Sequence, residues 1–205
     1  MTYSIRPMVK EDIAQVNEID HEAFPTQWPP ANYVQELQNK IAHYLVACDD
    51  TRPIDTPHPP PHQQSNFLAR LLWQKRPFSP DNSPPAPLYI VGFSGIWMLA
   101  DEAHVTNIAV RHSYRRQGLG ELLLLATIDL SREFKASFMT LEVRASNLTA
   151  QNLYSKYGFV QMGVRRGYYL DNREDAIIMS TDMLDSPEFQ EHVHELREAL
   201  TKKLV

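Results

Sequence analysis

The 205 residues predict one α/β (α+β) domain, a β-sheet layered with helices, and three observations carry that reading. The length suits a single folded unit at the usual ~100 to 200 residues per domain. Apolar residues recur with a period near two in some short runs and near 3.6 in others. The two kinds of run alternate in the order βααβ, a proline-rich break, then ββαβαββ, with no internal repeat. Such alternation builds a sheet covered by helices.

Residues 3–8 (YSIRPM) read as a strand, and Glu11 to Phe24 places Ile13, Val16, Ile19 and Ala23 at helical spacing behind an acidic start. After the turn-rich FPTQWPP a second helix is expected over Ala31 to Lys40, then a buried strand over HYLVACDD. Residues 51–87 hold ten of the fifteen prolines and read as an insertion, because proline removes backbone donors and favours extended, solvated chain. Within it, Asn66 to Lys75 has the spacing of a short helix that either patches the insertion onto the core or docks a partner. Leu88–Met98 and Ala103–Val110 read as strands joined by a turn at ADEA. Gly118 to Phe134 carries Leu119, Leu122, Leu123, Ala126 and Leu130 on one face of a long helix. Then follow a strand (Phe138–Val143), a helix (Thr149–Tyr157) ended by Gly158, and two strands (Phe159–Arg165 and Ala176–Met183). A helical tail closes the chain, with Phe189, Val193, Leu196 and Leu200 on one face. The domain is therefore expected over 1–184, interrupted at 51–87, with 185–205 as a helical extension.

Twenty Lys and Arg against 25 Asp and Glu, net charge -5, lack the basic excess of a general nucleic-acid binder. The single cysteine, Cys48, leaves no internal disulfide framework or Cys-rich zinc site. The longest charge-free apolar stretch, Leu88–Ala100, is 13 residues. That falls short of the roughly 20 needed to span a bilayer. The charged first twelve residues also lack a signal-peptide core. A cytoplasmic protein is expected, with no metal, no membrane and no direct nucleic-acid contact, and its oligomeric state is left open.

Spacing disposes of several motifs. GFSG at 92–95 has Ile96 where a nucleophile elbow needs its second glycine, and Val164 stands where a P-loop beginning at Gly158 needs lysine. Glu198 replaces the second histidine of a zincin-like run at His194, and His58 and His62 lack a third ligand. The informative run is NIAVRHSYRRQGLGELLL (107–124), a strand delivering a basic, glycine-containing turn into a helix. Free N–H groups with a positive helix end behind them suit a pyrophosphate, and Arg111, Arg115 and Arg116 add charge with no local acid. The same run also fits an ordinary connection with a solvated basic turn.

Read whole, R-x-x-G-x-G at Arg115, Gly118 and Gly120 resembles the acyl-CoA signature of the GNAT N-acetyltransferases. LEVRASNLTAQNLYSKYGF (141–159), RRGYY (165–169) and REDAIIM (173–179) resemble the RimI branch of that family, the N-terminal acetyltransferases of ribosomal protein. The match is close over 103–184 and loose over 1–48. It implies a twisted mixed sheet with a splayed central strand pair and acetyl-CoA as co-substrate. The acceptor it implies is a protein N-terminus, the N-terminal alanine of the eighteenth small-subunit ribosomal protein. The resemblance assigns the pantetheine arm to the backbone of Ile108, Ala109 and Val110. It gives the pyrophosphate to Arg116, Gln117, Gly118, Leu119, Gly120 and Glu121, with Arg115 of the signature as a further cofactor contact. Asn147 is a further cofactor contact, Glu142 the general base, Tyr154 the general acid, and Tyr168 and Tyr169 the border of the peptide entrance.

Those roles suit the chemistry. An α-amine with pKa about 7.7 to 8.0 surrenders its proton to a carboxylate far more readily than a lysine near 10.4. A phenol near 10 can protonate a departing thiolate of pKa about 8.5. Each residue also has an ordinary alternative: Glu142 as a solvated strand residue, Tyr154 as a packing tyrosine, Tyr168 and Tyr169 as hairpin aromatics. A small amine or a lysine side chain could be the acceptor, and a non-catalytic CoA-binding scaffold is the other rival, though it has no need of both a base and an acid.

Overall fold

The computed structural model describes residues 2–26, 31–53 and 88–204. Seven strands form one sheet in the order β1-β2-β3-β4-β5-β7-β6. In chain order they are β1 (Tyr3–Pro7), β2 (Ala42–Pro53), β3 (Leu88–Leu99), β4 (Glu102–Val110), β5 (Phe138–Arg144), β6 (Val160–Arg165) and β7 (Ala176–Ser180). Every neighbouring pair is antiparallel except β4 and β5, which run parallel at the centre. The helices are α1 (Ile13–Ala23), α2 (Tyr33–Glu36), α3 (Leu119–Glu133), α4 (Leu148–Lys156) and α5 (Pro187–Leu204).

Alternation along the strands separates two cores. Tyr44, Val46 and Cys48 of β2 turn toward Val16 and Ile19 of α1 and Tyr33 of α2. Leu141 and Val143 of β5 turn the other way, into a cluster with Leu124, Leu125 and Ile128 of α3, Tyr157 and Phe159 beyond α4, and Val193 and Leu200 of α5. Each fully buried leucine of α3 contributes roughly 1.5–3 kcal/mol by burial, so Leu124→Ala would be among the most damaging single changes to this layer. The mixed sheet with helices on both faces is thus the architecture expected.

Several boundaries differ from the sequence reading. Helix α2 is one turn, not the ten residues over 31–40. Asn32 caps it, but after Glu36 the bonds tighten to Gln38 N–H on Gln35 and Asn39 N–H on Glu36, which steers the chain into β2. Strand β7 stops at Ser180 instead of Met183, because the Thr181 hydroxyl takes the Met139 N–H that a backbone carbonyl would otherwise accept. Strand β2 continues through Thr51, Arg52 and Pro53, so the first residues of the proline-rich stretch belong to the sheet, and Pro53 lies opposite Leu88. The rest of that stretch, including the helix expected over Asn66–Lys75, lies outside the described residues.

Candidate active site

The central parallel pair holds only where Glu102–Val105 lie beside Phe138–Leu141. Beyond that point the strands part, and the cause is a bulge. The β3 register steps from Gly95 opposite Asn107 to Ile96 opposite Val105, leaving Thr106 as the extra residue that bends β4 away. Gly95 is required there, since a Cβ would collide with the Tyr44 ring and lie 2.6 Å from Asn107 Oδ1. A polar network fixes the bend: the Asn107 amide donates to the Tyr33 hydroxyl (3.1 Å), which donates to buried Asp20 (2.7 Å). Burial pushes the Asp20 carboxyl up, against the pull of the Tyr33 hydrogen bond.

Alternation then decides which backbone groups face the cleft. Arg111 N–H donates to the Val91 carbonyl (2.9 Å), so Ala109 and Asn107 also bond toward β3, and Ile108 and Val110 direct their N–H and C=O toward the parted β5. Of the three residues assigned to a pantetheine arm, Ile108 therefore turns both backbone groups to the cleft, Val110 offers its N–H, and Ala109 offers neither. The Val110 carbonyl accepts from Arg115 Nε (3.1 Å).

The chain next enters the basic turn. Arg116 (φ 65°) and Gly118 (φ 89°) both adopt left-handed backbone, and α3 begins with Leu122 N–H bonding the Gly118 carbonyl. The preceding N–H groups of Leu119, Gly120 and Glu121 thus lie ahead of the first intrahelical bond. A Cβ on Gly120 would meet only Leu153 Cδ2, at an ordinary 3.6 Å, so packing does not demand glycine and the bare first turn suits close approach by a ligand. Arg115, Arg116 and Gln117 are exposed. The Gln117 amide bonds the Ser113 carbonyl (3.1 Å) and the Tyr3 hydroxyl (3.0 Å). Arg111 is not part of this charge: it is buried, paired with Glu18 (2.8 Å) and bonded to the Ile90 carbonyl. The cancelling acid comes from α1, 93 residues earlier, where a local scan cannot find it.

Glu121 uses its side chain as a strut to α4, accepting from Lys156 and from the Tyr157 hydroxyl (3.0 Å). Burial pushes its carboxyl up, but those hydrogen bonds outweigh it and hold the group below the usual range. Asn147 commits its side-chain oxygen to capping α4 through Ala150 N–H (3.1 Å), which leaves its amide for any ligand.

Glu142 is not a solvated strand residue. Its side chain is 8% exposed, with Oε2 3.2 Å from His104 Nε2 and Oε1 2.9 Å from Arg165 Nη1. His104 Nδ1 lies 2.9 Å from the Thr140 hydroxyl, which donates to Glu102. A polar chain thus crosses the centre of the sheet at the point where β4 and β5 begin to part. Tyr154 is buried, packs on Phe159 with ring centroids 5.7 Å apart, and has its phenol pushed up to about 12, by burial first and then by nearby Tyr169. Tyr169 is itself raised to about 12, by burial first, against the pull of Arg144, with Tyr168 and Glu142 adding to the rise. Tyr169 thus lies near both Tyr154 and Glu142. Tyr168 and Tyr169 meet edge to face at 5.2 Å, in the loop between β6 and β7.

Sequence reasoning missed His104, Arg144 and Arg165. Arg144 lies 3.9 Å over the Tyr169 ring and is paired with Asp171 (3.0 Å) and Glu174 (3.1 Å). Period-two alternation could have placed Arg144 on the face of Glu142, but the parallel register that brings His104 beside it is not written in either strand. Among the described residues no group of three or more His, Cys, Asp and Glu could hold a metal, and no helix is long and apolar enough to cross a membrane.

Comparison with known proteins identifies the family. Residues 55–159 match the family model described as acetyltransferase (GNAT) family. A Bacillus subtilis (strain 168) protein, provisionally named a ribosomal protein bS18-alanine N-acetyltransferase, is 35% identical over 86% of this chain and 93% of its own length. An N-alpha-acetyltransferase of Sulfurisphaera tokodaii is 32% identical over 88% of this chain and 93% of its own. Among solved structures, the ribosomal-protein-S18-alanine N-acetyltransferase from Escherichia coli superposes with a TM-score of 0.64 at 26% identity, covering 91% of this chain and 97% of that one.

Proposed function

Since the chain belongs to the GNAT acetyltransferase family and is an acetyl-CoA-dependent N-acetyltransferase, we propose that its acceptor is the N-terminal alanine of ribosomal protein bS18 and that Glu142 and Tyr154 carry the proton transfers. The observation that carries this reading is Glu142 itself, a carboxylate almost withdrawn from solvent beside the cleft. The residues fit the donor: Ile108 and Val110 offer strand edge to an amide-bearing arm, and the bare turn at Gly120 offers N–H groups to phosphates. Bound acetyl-CoA supplies a thioester whose carbonyl carbon the amine attacks, with the C–S bond breaking.

The chain's own residues manage the protons. His104 and Arg165 hold the Glu142 carboxylate by one oxygen each, and the Arg165 side chain is 55% exposed. An entering α-ammonium takes the place of Arg165 on Oε1 and gives its proton to the carboxylate, directly or through a water. Tyr154 then donates its phenolic proton to the departing thiolate, the second proton shed by the acylated nitrogen restores the phenol through solvent, and Glu142 releases the first to water. With its phenol at about 12 it stays protonated through the neutral range, and since the free thiolate is the weaker base, transfer to sulfur is completed only because the second amine proton neutralises the phenolate as it forms.

Two measurements test the reading. Peptides with different N-terminal residues, incubated with acetyl-CoA and read by mass spectrometry, should show acetylation of the bS18 N-terminal sequence above all others, and preference for lysine side chains or small amines would overturn the acceptor assignment. Glu142→Gln should lower turnover by about 10²- to 10⁴-fold, with partial recovery at high pH where the amine is already neutral. Near wild-type rates across the pH range would return Glu142 to an ordinary strand residue.

A further inference from the structure

The family model stops at residue 159, well short of α5. This helix runs antiparallel to α3. Arg132 Nε meets Asp185 (3.1 Å) at the C-terminal end of α3, Arg197 meets Asp129 (2.7 Å) midway, and Leu200 and Leu204 reach Gly118 at its N-terminal end. Two contacts fasten it to α4 as well: Phe189 lies against Gly158, and the His192 imidazole bonds the Lys156 carbonyl (2.8 Å). The last turn of α5 therefore ends beside the basic turn.

What it does there can be read from Gly118. A Cβ on this left-handed residue would lie 3.0 Å from Leu200 Cδ1 and 3.3 Å from Leu204 Cδ2, so the two leucines close one side of the turn. Left-handed backbone is easily lost when nothing packs on it, and the turn's N–H groups converge only while that conformation holds. The same last turn brings Lys202 and Lys203, both exposed, to the end of α3 that already carries Arg115 and Arg116. Lys203 is near enough to Glu121 to help hold that carboxyl down. The lysines also offset the partial negative charge at the C-terminus of α5, which would otherwise lie near the phosphates.

We propose that α5 is the outer wall of the phosphate subsite, Leu200 and Leu204 holding the Gly118 turn in shape while Lys202 and Lys203 add cationic charge beside it. This rests on the acyl-CoA reading of that turn. It makes α5 a positioning element that acts on the phosphate-bearing part of the donor and leaves the thioester chemistry alone.

The test compares two donors, acetyl-CoA and S-acetylpantetheine, which carries the same thioester but no pyrophosphate. Two full-length variants are used, Lys202→Glu with Lys203→Glu, and Leu204→Ala, each checked for folding by circular dichroism. The ratio of kcat/KM for acetyl-CoA to that for S-acetylpantetheine should fall about three- to tenfold in the charge variant at low salt. It should fall in the same direction in Leu204→Ala. The charge effect should close in 1 M salt, where screening acts within about 3 Å, and the Leu204→Ala effect should not. An unchanged ratio in both variants, an equal loss with both donors, or tighter acetyl-CoA binding would overturn the proposal, the last by showing that α5 obstructs the subsite. A wild type that transfers from neither donor would instead bring down the transferase reading on which the proposal stands.

Discussion

Tyr154 holds its proton far above neutrality, and this fixes the shape of the pH dependence. The general-acid role proposed for Tyr154 is lost when the phenol ionises, so a phenol at about 12 predicts that kcat does not decline between pH 8 and pH 10, the range in which an ordinary tyrosine near 10 would begin to fail. The rising limb belongs to the amine. A pH-rate profile with saturating peptide checks this, and an alkaline decline near pH 10 that disappears in Tyr154→Phe would give the phenol an ordinary value and contradict its burial. The sequence alone left Tyr154 and Glu142 beside their ordinary alternatives, because spacing shows which face a side chain takes but not what waits there. Burial among α3 and α4 side chains, and the His104 and Arg165 partners of Glu142, come from elements far apart in the chain.

The long elements were the legible ones. Helix α3 declares itself by Leu119, Leu122, Leu123, Ala126 and Leu130, whereas α2 is a single turn whose position depends on Glu36 accepting from Trp97 Nε1 (2.8 Å) and Tyr44 (3.0 Å), both on other elements. The bulge at Thr106 was illegible for the same reason, since it exists only in the pairing of β4 with β3. The loop between β6 and β7, which the resemblance makes the border of the peptide entrance, shows how such long-range ties fix a segment in place. Arg144, at the end of β5, holds Asp171 and Glu174 and stacks on Tyr169, while Glu174 also accepts from Ser146 N–H (2.7 Å). Hydrogen bonds from Ser146 in the first place, then from Asn172 and Arg144, hold the Glu174 carboxyl down to about 2, so this fastening should persist unchanged from pH 4 to pH 9. Arg144→Leu removes both ion pairs and the ring contact. Amide hydrogen exchange should then quicken within 166–175, and peptide kcat/KM should fall by roughly tenfold through misplacement of the tyrosine pair. Equal exchange in the two proteins would show that the loop is held by something other than Arg144.

The two layers of helices lie on opposite faces of one sheet, and β2 and β3 run through both, with Val46 and Cys48 facing α1 and Ala47 facing Leu119 and Leu123 of α3. The proline-rich stretch interrupts the chain between these two strands, which raises the question of whether the sheet depends on it. The register answers from its two ends. Pro53 lies opposite Leu88, so the residues flanking 54–87 are neighbours across a strand pair, at the roughly 4.5 to 5.5 Å Cα spacing of an antiparallel ladder. The β2 end is also tied to β1, through Asp50 N–H on the Thr2 carbonyl (2.9 Å) and Ser4 on the Asp50 carboxylate (2.6 Å). Both ends are thus held by the sheet itself, and a link of about four residues can join them. Loop-closure entropy favours the shorter link by ~0.6 kcal/mol per halving, about 2 kcal/mol over three halvings. Replacing 54–87 by Gly-Ser-Gly-Ser should therefore leave Tm equal or higher by several degrees and peptide acetylation within a few-fold of the full chain. A folded short-link protein that binds acetyl-CoA but has lost peptide turnover would show that 54–87 contributes to the acceptor site, and a lowered Tm would show that it contributes to the sheet.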